Sequence, residues 1–162
     1  MVSDPSFAIT PLRVGDETSL QALYEPVADN SGQGPTLTFL AGLLKSPQCR
    51  AWAVSDRDIP VGAIWYQCVA PEAELIDLRI LPSCRRRGYA TRLLGETLRT
   101  LATEKISRVD LEVRESNVPA RRLYGAHGFA MTGRRRKYYP SSSGREDAIL
   151  MSLALSSRDA SQ

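Results

Sequence analysis

A single histidine and three cysteines leave several kinds of chemistry without the side chains they need. His127 alone cannot build a multi-histidine metal centre, and its place between glycines reads as a local helix cap or a surface residue. Cys49, Cys68 and Cys84 are odd in number and widely spaced, with neither a CxxC pair nor a zinc pattern. They read as free thiols of a reducing compartment, which favours the cytoplasm. No apolar run approaches the length of a membrane span. The opening MVSDPSFAIT has neither the basic nor the apolar segment of a secretory leader. Excess charge is also scarce, the formal net value being +3. Basic residues gather at 85–87 and 134–137 rather than along one face. With no recognition helix, zinc finger or aromatic stacking array, neither direct nucleic-acid binding nor a membrane partner is expected.

What is present is an α/β pattern. At 162 residues the chain has the size of one domain, expected over 1–162 with its core at about 7–155. Phe7 to Val14 alternates as a strand, and Asp16 is placed to cap a helix carrying Leu20, Leu23 and Val27. The run from Ala28 to Pro35 has the composition of a flexible loop. A short helix follows with Leu37, Leu40, Ala41 and Leu44 in register. The two helices and their loop read either as a movable wall over a cleft or as a plain surface feature. Arg50–Ser55 and Val61–Val69 flank turn chemistry at Asp56 to Ile59, which predicts a hairpin, and Ala73–Ile80 adds a strand. A helix then carries Ala90, Leu93, Leu94, Thr97, Leu98 and Leu101 on one stripe. After a strand at Arg108–Val113, Asn117 is the natural cap of a helix Val118–Ala126. That helix is expected to bury Leu123 and Ala120 and to stop at Gly125 or Gly128. Phe129–Tyr139 and Ala148–Leu155 read as closing strands.

Arg85-Arg86-Arg87-Gly88-Tyr89-Ala90 is the most informative run. It sets a glycine turn between an apolar strand and an amphipathic helix, where successive backbone N–H groups and the positive helix end can cradle phosphate oxygens. Gly88 and the small Ala90 let a pyrophosphate approach the backbone. The alternative is a solvated strand–helix connection. In Leu111-Glu-Val-Arg, alternation puts Glu112 and Arg114 on the face opposite Leu111 and Val113. A carboxylate within an apolar strand is either paired with an arginine or able to take a proton. Tyr124, near the end of its short helix, is either an amphipathic filler or a proton donor to a departing thiolate. Cys84 beside three arginines is a candidate reactive thiol, with a bystander the stronger reading. Tyr138 and Tyr139 should point to opposite sides of a hairpin whose base Arg145, Glu146 and Asp147 lock by ion pairing.

Together these residues resemble the GCN5-related N-acetyltransferase (GNAT) superfamily and, within it, the bacterial ribosomal-protein-alanine N-acetyltransferases. Arg85, Gly88 and Ala90 match the superfamily's acetyl-CoA turn. Leu111 to Asn117, Leu123 to Phe129, Arg135 to Pro140 and Gly144 to Ala148 match the narrower family, and the likeness runs over about residues 50–155. It implies a mixed, mostly antiparallel, splayed seven-stranded sheet flanked by about four helices. It further implies that acetyl-CoA is the cosubstrate and that no metal takes part. Pantetheine would bond to backbone at Leu78 and Ile80, and pyrophosphate to Arg85, Arg86, Arg87, Gly88, Tyr89, Ala90 and Thr91. Asn117 and Ala120 would meet the CoA arm. Glu112 would be the base for the incoming amine and Tyr124 the acid for the CoA thiolate. Arg79, Arg114 and Tyr138 would line the acceptor channel. The implied partner is the N-terminus of an acceptor protein, such as a ribosomal protein, with the enzyme a monomer or weak dimer.

Two departures from that pattern concern the acceptor. The Phe-Pro-Trp-Ser-like stretch expected between the first two helices is replaced by Pro26 to Thr36, without tryptophan. Arg79 stands where a small apolar residue is expected, and with the 134–137 cluster it points towards an acidic peptide. Competing readings are acetylation of lysine side chains or small amines, and a non-catalytic acetyl-CoA-binding module in which Glu112 and Tyr124 are structural.

Overall fold

Burial alternates along the strand at Arg108–Arg114 and runs unbroken through the middle of those at Cys49–Asp56 and Ile59–Val69 in the computed structural model, which describes residues 6–25 and 34–156. The strands are β1 (Phe7–Pro11), β2 (Cys49–Asp56), β3 (Ile59–Val69), β4 (Glu72–Ile80), β5 (Arg108–Arg114), β6 (Ala130–Ser141) and β7 (Gly144–Ala154). They form a seven-stranded sheet in the order β1-β2-β3-β4-β5-β7-β6. The β1–β2, β2–β3, β5–β7 and β6–β7 pairs are antiparallel and β4–β5 is parallel. The mixed, mostly antiparallel expectation therefore holds. Three α-helices, α1 (Leu37–Leu43), α2 (Tyr89–Thr103) and α3 (Val118–Ala126), accompany a 3-10 helix at Asp16–Tyr24 and a single 3-10 turn at Pro82–Cys84. The chain groups into two compact units, one drawn from Met1–Cys68 and Ile76–Thr97, the other from Val69–Leu75 and Leu98–Gln162.

In the first unit, the β2–β3 hairpin turns on Arg57 and Asp58, both left-handed at φ 49° and 66°. That is the backbone twist a two-residue hairpin favours. β3 buries both faces: Val61, Ala63, Ile64, Trp65 and Tyr66 are all nearly inaccessible. Trp65 packs in a cluster with Leu20, Leu23 and Leu40 of the early helices. On α2, Leu93, Leu94 and Thr97 are buried as the stripe predicts. Thr97 Oγ1 donates to the Leu93 carbonyl at 2.8 Å and lies 2.8 Å from the Tyr66 hydroxyl. That tie locks α2 to β3 by a satisfied polar pair within apolar surroundings.

The early helix departs from expectation. It is 3-10 rather than α-helical, and Gly15, at φ 100°, takes the N-cap position assigned to Asp16. Asp16 Oδ2 instead reaches back to the Arg13 amide at 2.9 Å. Thr18 and Ser19 hydroxyls bond the carbonyls three residues behind them, at 3.1 and 2.7 Å. Such back-bonding competes with α-helical geometry. Val27 and most of the 28–35 loop lie outside the described residues. α1 is capped by Thr36, whose hydroxyl accepts from the Phe39 amide at 3.2 Å.

In the second unit, β5 buries Val109, Leu111 and Val113 and turns Asp110, Glu112 and Arg114 the other way. Its ladder with β4 runs only from Glu72↔Arg108 to Glu74↔Asp110, whereas β7 pairs with β5 along all of Arg108 to Arg114. α3 buries Tyr124, and the expected Leu123 and Ala120 are only half-buried. Tyr124 is drawn in by Phe129, whose ring centre lies 5.7 Å away after the chain reverses. His127 is the C-cap of α3, with Nδ1 2.9 Å from the Leu123 carbonyl. The stop is Gly128 rather than Gly125, since only Gly128 adopts positive φ, 96°.

Gly62 tests this packing. A Cβ there would collide with Ile80 Cδ1 and come within 2.9 Å of Val54 Cγ1 and 3.0 Å of the Arg79 carbonyl. Gly62→Ala should therefore lower stability by about 1–3 kcal/mol, read as a lower urea midpoint at unchanged m-value.

Candidate functional site

The turn before α2 supplies the first half of the site. Arg86 has φ 62° and Gly88 φ 82°, so left-handed residues alternate with right-handed or extended ones. That alternation converges backbone N–H groups into an anion-binding nest. A Cβ on Gly88 would meet nothing within 4 Å. The positive φ, not lack of space, therefore demands glycine, and the space over the turn is open. Arg85, Arg86 and Arg87 are exposed around it. Tyr89 fixes the helix start: its ring stacks on Phe7 at 6.0 Å and its hydroxyl donates to Asp56 Oδ2 at 2.8 Å. That bond raises the Tyr89 phenol pKa above its ordinary value. Arg92 covers Phe7 at 3.4 Å. Nest, helix N-terminus and arginines together fit a pyrophosphate. Leu78 and Ile80 lie on β4 just upstream, and Arg85 Nε reaches the Ile80 carbonyl at 3.4 Å. Cys84 is a half-buried free thiol.

β4 also carries a polar cluster that the sequence reading missed. Trp65 Nε1 donates to the Tyr24 hydroxyl at 2.9 Å, and that hydroxyl donates to Asp77 Oδ2 at 3.0 Å. Arg79 Nη2 lies 3.6 Å from Asp77 Oδ1, and its guanidinium covers the Tyr24 ring at 4.2 Å. Burial raises the Asp77 carboxyl pKa, opposed by Arg79 and Tyr24. Burial, reinforced by Asp77, also raises the Tyr24 phenol. Arg79 is thus paired with Asp77 rather than standing as a lone cation on β4. The available signal was a carboxylate two residues from an arginine, hence on one strand face, within the apolar run Leu75 to Ile80.

The second unit holds the expected proton-transfer residues. Glu112 is partly exposed at 24%, and its Oε1 accepts from Arg135 Nε at 3.0 Å. The arginine contact weighed from the sequence therefore exists, and it leaves Oε2 available to a substrate or water. Burial raises the Glu74 and Tyr139 pKa values, and the Glu112 charge adds to both shifts. Tyr124 is 7% exposed. Asn117 caps α3, accepting from the Ala120 amide at 3.3 Å, so its side-chain carbonyl is already used.

The closing hairpin is a clamp. Arg114 Nη1 donates to the Pro140 carbonyl at 2.8 Å and to Glu146 Oε1 at 3.0 Å, and the guanidinium covers Tyr139 at 4.4 Å. Arg134 Nη1 bridges Glu115 at 2.7 Å and Asp147 at 2.8 Å, while Asp147 Oδ1 accepts the Lys137 amide at 2.9 Å. Glu146 and Asp147 join ion pairs as expected, whereas Arg145 only reaches the Tyr138 carbonyl, at 3.4 Å. Tyr138 and Tyr139 do not face opposite ways: their rings meet edge-on at 5.0 Å. Lys137, at φ 52°, breaks the alternation where the β6–β7 register shifts. Tyr138 remains exposed at 44%. Among the described residues, no His/Cys/Asp/Glu group could hold a metal ion, and no helix is long and apolar enough to cross a membrane.

Hydrogen bonds from Ser116 and Arg114 lower the Glu146 pKa, and those from Arg134 and the Lys137 amide lower that of Asp147. A lowered carboxylate stabilises the fold above its unfolded pKa of about 4 and loses that contribution as pH falls through the folded value. Acidification from neutral to below 4 should therefore reduce hydrogen-exchange protection factors at the β6–β7 tip before those of α2.

A sequence profile of the acetyltransferase (GNAT) family matches residues 18–129. The chain is 41% identical over 90 residues to the ribosomal protein bS18-alanine N-acetyltransferase of Salmonella typhimurium, covering 56% of this chain and 61% of that protein. The match thus spans less than two thirds of that relative's length. The Haemophilus influenzae protein of the same name is 40% identical over 136 residues, 82% of this chain and 92% of its own. The crystal structure of the ribosomal-protein-S18-alanine N-acetyltransferase from Escherichia coli is similar at a TM-score of 0.84, with 27% identity, over 93% of this chain and 94% of that one.

Proposed function

Because the chain belongs to the acetyltransferase (GNAT) family, we propose that it transfers acetyl from acetyl-CoA to the N-terminal α-amine of a protein, as the names of its ribosomal-protein-alanine relatives describe for them. The observation that carries this reading is the nest at Arg86 and Gly88 opening α2. It recognises a pyrophosphate through backbone, and it does so in a chain of this family.

Acetyl-CoA, when bound, supplies an acetyl thioester activated towards amines. The amides of Arg86 to Thr91 cradle its phosphates, the arginines at 85–87 neutralise them, and backbone at Leu78 and Ile80 holds the pantetheine arm. Asn117 uses its side-chain N–H₂, left over from capping, on the CoA arm near Ala120. An α-amine with a pKa of about 8 is mostly protonated at neutral pH but loses its proton readily, so a carboxylate suffices to free its lone pair. Glu112 takes that proton through Oε2, directly or by way of one water, with Arg135 fixing the carboxylate's orientation. As the N–C bond forms and the C–S bond breaks, the Tyr124 phenol gives its proton to the leaving sulfur. Direct attack needs no protein nucleophile. Placement and oriented donors supply the rate.

Tyr138 offers an exposed ring to the acceptor's first residues, and Arg114 supports it by holding Tyr139 and the hairpin rather than by touching substrate. Residues 1–162 make one transferase domain under this reading, and free thiols are compatible with a cytoplasmic setting. A ribosomal protein is the proposed acceptor, on the strength of the relatives alone.

Acetyl-CoA consumption should be measured against short Ala- and Ser-initiated peptides, lysine-bearing N-blocked peptides and small amines, with the acetyl group located by mass spectrometry. Label is expected on the α-amine alone. Glu112→Gln should lower kcat by about 100-fold or more, and Tyr124→Phe should slow the same step. Label on lysine or small amines would move the assignment to a different acceptor. CoA binding without any transfer would make the protein a binding module. Gly88→Ala strains a residue at φ 82° and should weaken acetyl-CoA binding in calorimetry, with little change in peptide affinity.

A further inference from the structure

Asp77, Tyr24 and Trp65 have no part in the proton transfers above, yet their bonds run in one fixed direction. An indole N–H can only donate, so the Tyr24 oxygen accepts from Trp65 and sends its own proton to Asp77 Oδ2. Asp77 Oδ1 is thereby left for Arg79 Nη2 at 3.6 Å. The guanidinium is held on three sides. It meets the carboxylate at one edge and the Tyr24 ring at 4.2 Å on one face. Gly34 is the third side, where an added Cβ would come within 2.7 Å of Nη2. Side-chain exposure is 18% for Arg79 and 11% for Asp77, so the pair is sheltered but not sealed. Among the described residues Asp77 is the carboxylate that pairs with Arg79, and a guanidinium carries five donors. The Asp77 pair engages Nη2, and the Tyr24 face fixes the plane in which the other donors lie.

We propose that Asp77 and Tyr24 are positioning residues that aim the Arg79 guanidinium at the first peptide carbonyl of the acceptor, making this enzyme selective for α-amino amides over plain amines. The inference rests on the acetylation reading, in which backbone at Leu78 and Ile80 holds the pantetheine arm with Arg79 between them. A guanidinium already paired with a carboxylate gains little from a second anion, which would compete with Asp77. A neutral carbonyl accepts its spare N–H groups without another charge leaving water. A polyamine would bring a cation towards a cation. The chemistry favours a peptide N-terminus, whose carbonyl stands one carbon from the reacting nitrogen, over an alkylamine or polyamine and over an acidic side chain.

The test compares an alanyl peptide amide with an alkylamine of matched size but no carbonyl, using wild type and Tyr24→Phe, Asp77→Asn, Arg79→Lys and Arg79→Met. The ratio of peptide to alkylamine kcat/KM is expected to fall about tenfold in Arg79→Met, the scale of a hydrogen bond from a charged donor. Lysine should fall between arginine and methionine, and Tyr24→Phe, which removes a single oxygen, should move the ratio the same way. Asp77→Asn combined with Arg79→Met should add nothing beyond Arg79→Met alone, because Asp77 acts through Arg79. Calorimetric titration of the peptide into protein without acetyl-CoA should show the same order, which keeps the inference separate from the transfer chemistry. Circular dichroism melts identify any variant that has merely unfolded. Equal losses on peptide and alkylamine, unchanged peptide binding in Arg79→Met, or no peptide binding by folded wild type would each overturn the proposal. Peptide binding that follows the expected order without any acetyl transfer would instead count against the acetylation reading.

Discussion

Trp65 and Tyr66 are buried on opposite faces of β3, and each carries one polar group into the interior. A buried donor without a partner costs on the order of 1–3 kcal/mol, so each tip dictates what must pack over it. Over Trp65 that partner is Tyr24, the last residue of the 3-10 helix, and Tyr24 in turn engages Asp77. Over Tyr66 it is Thr97 of α2. The position of α2 sets where its first turn opens, and therefore where the nest at Arg86 and Gly88 presents its amides. The position of Tyr24 sets where Arg79 is held. The proposed cofactor turn and the proposed acceptor clasp of the first unit are thus both consequences of burying two adjacent aromatics that carry hydrogen-bonding tips.

The second unit depends instead on charges that neutralise one another. Arg114, Arg134 and Arg135 look like loose cations in the sequence, and each is paired: with Glu146, with Glu115 and Asp147, and with Glu112. The Arg134 and Arg135 pairs are the more exposed and contribute little each to stability, and the effect of the set is mainly geometric. They fix the hairpin against β5 and set the rotamer of Glu112. Arg134 and Arg135 are therefore framework within the 134–137 run, while Arg136 and Lys137 stay exposed beside them.

Much of the fold was legible in the residues. Leu93, Leu94, Thr97, Leu98 and Leu101 repeat at helical spacing, Val109, Leu111 and Val113 alternate, and Asn117 caps its helix; in each case burial or bonding follows the local pattern. The failures share a cause. Asp16 lost its capping place because neighbouring hydroxyls tightened the helix, Leu123 yielded the core to Tyr124 because Phe129 folds back, and Lys137 turned Tyr138 and Tyr139 towards each other. Each outcome was decided by a short-range contact or a backbone angle that side-chain period does not encode.

Of the candidate site, the sequence by itself determined the parts that are local: the glycine turn at the head of α2, the face of β5 that carries Glu112, and the helix that brings Tyr124. These depend on backbone geometry and on side-chain period, both of which are written in consecutive residues. Tertiary structure alone decided which charges meet. Tyr24 finds Asp77 across 53 positions, Arg114 finds Glu146 across 32, and Arg135 finds Glu112 by strand pairing through β7. Coulomb attraction and hydrogen bonding act on distance in space, so a residue's charge is visible in the sequence while its partner, and with it its role, is not.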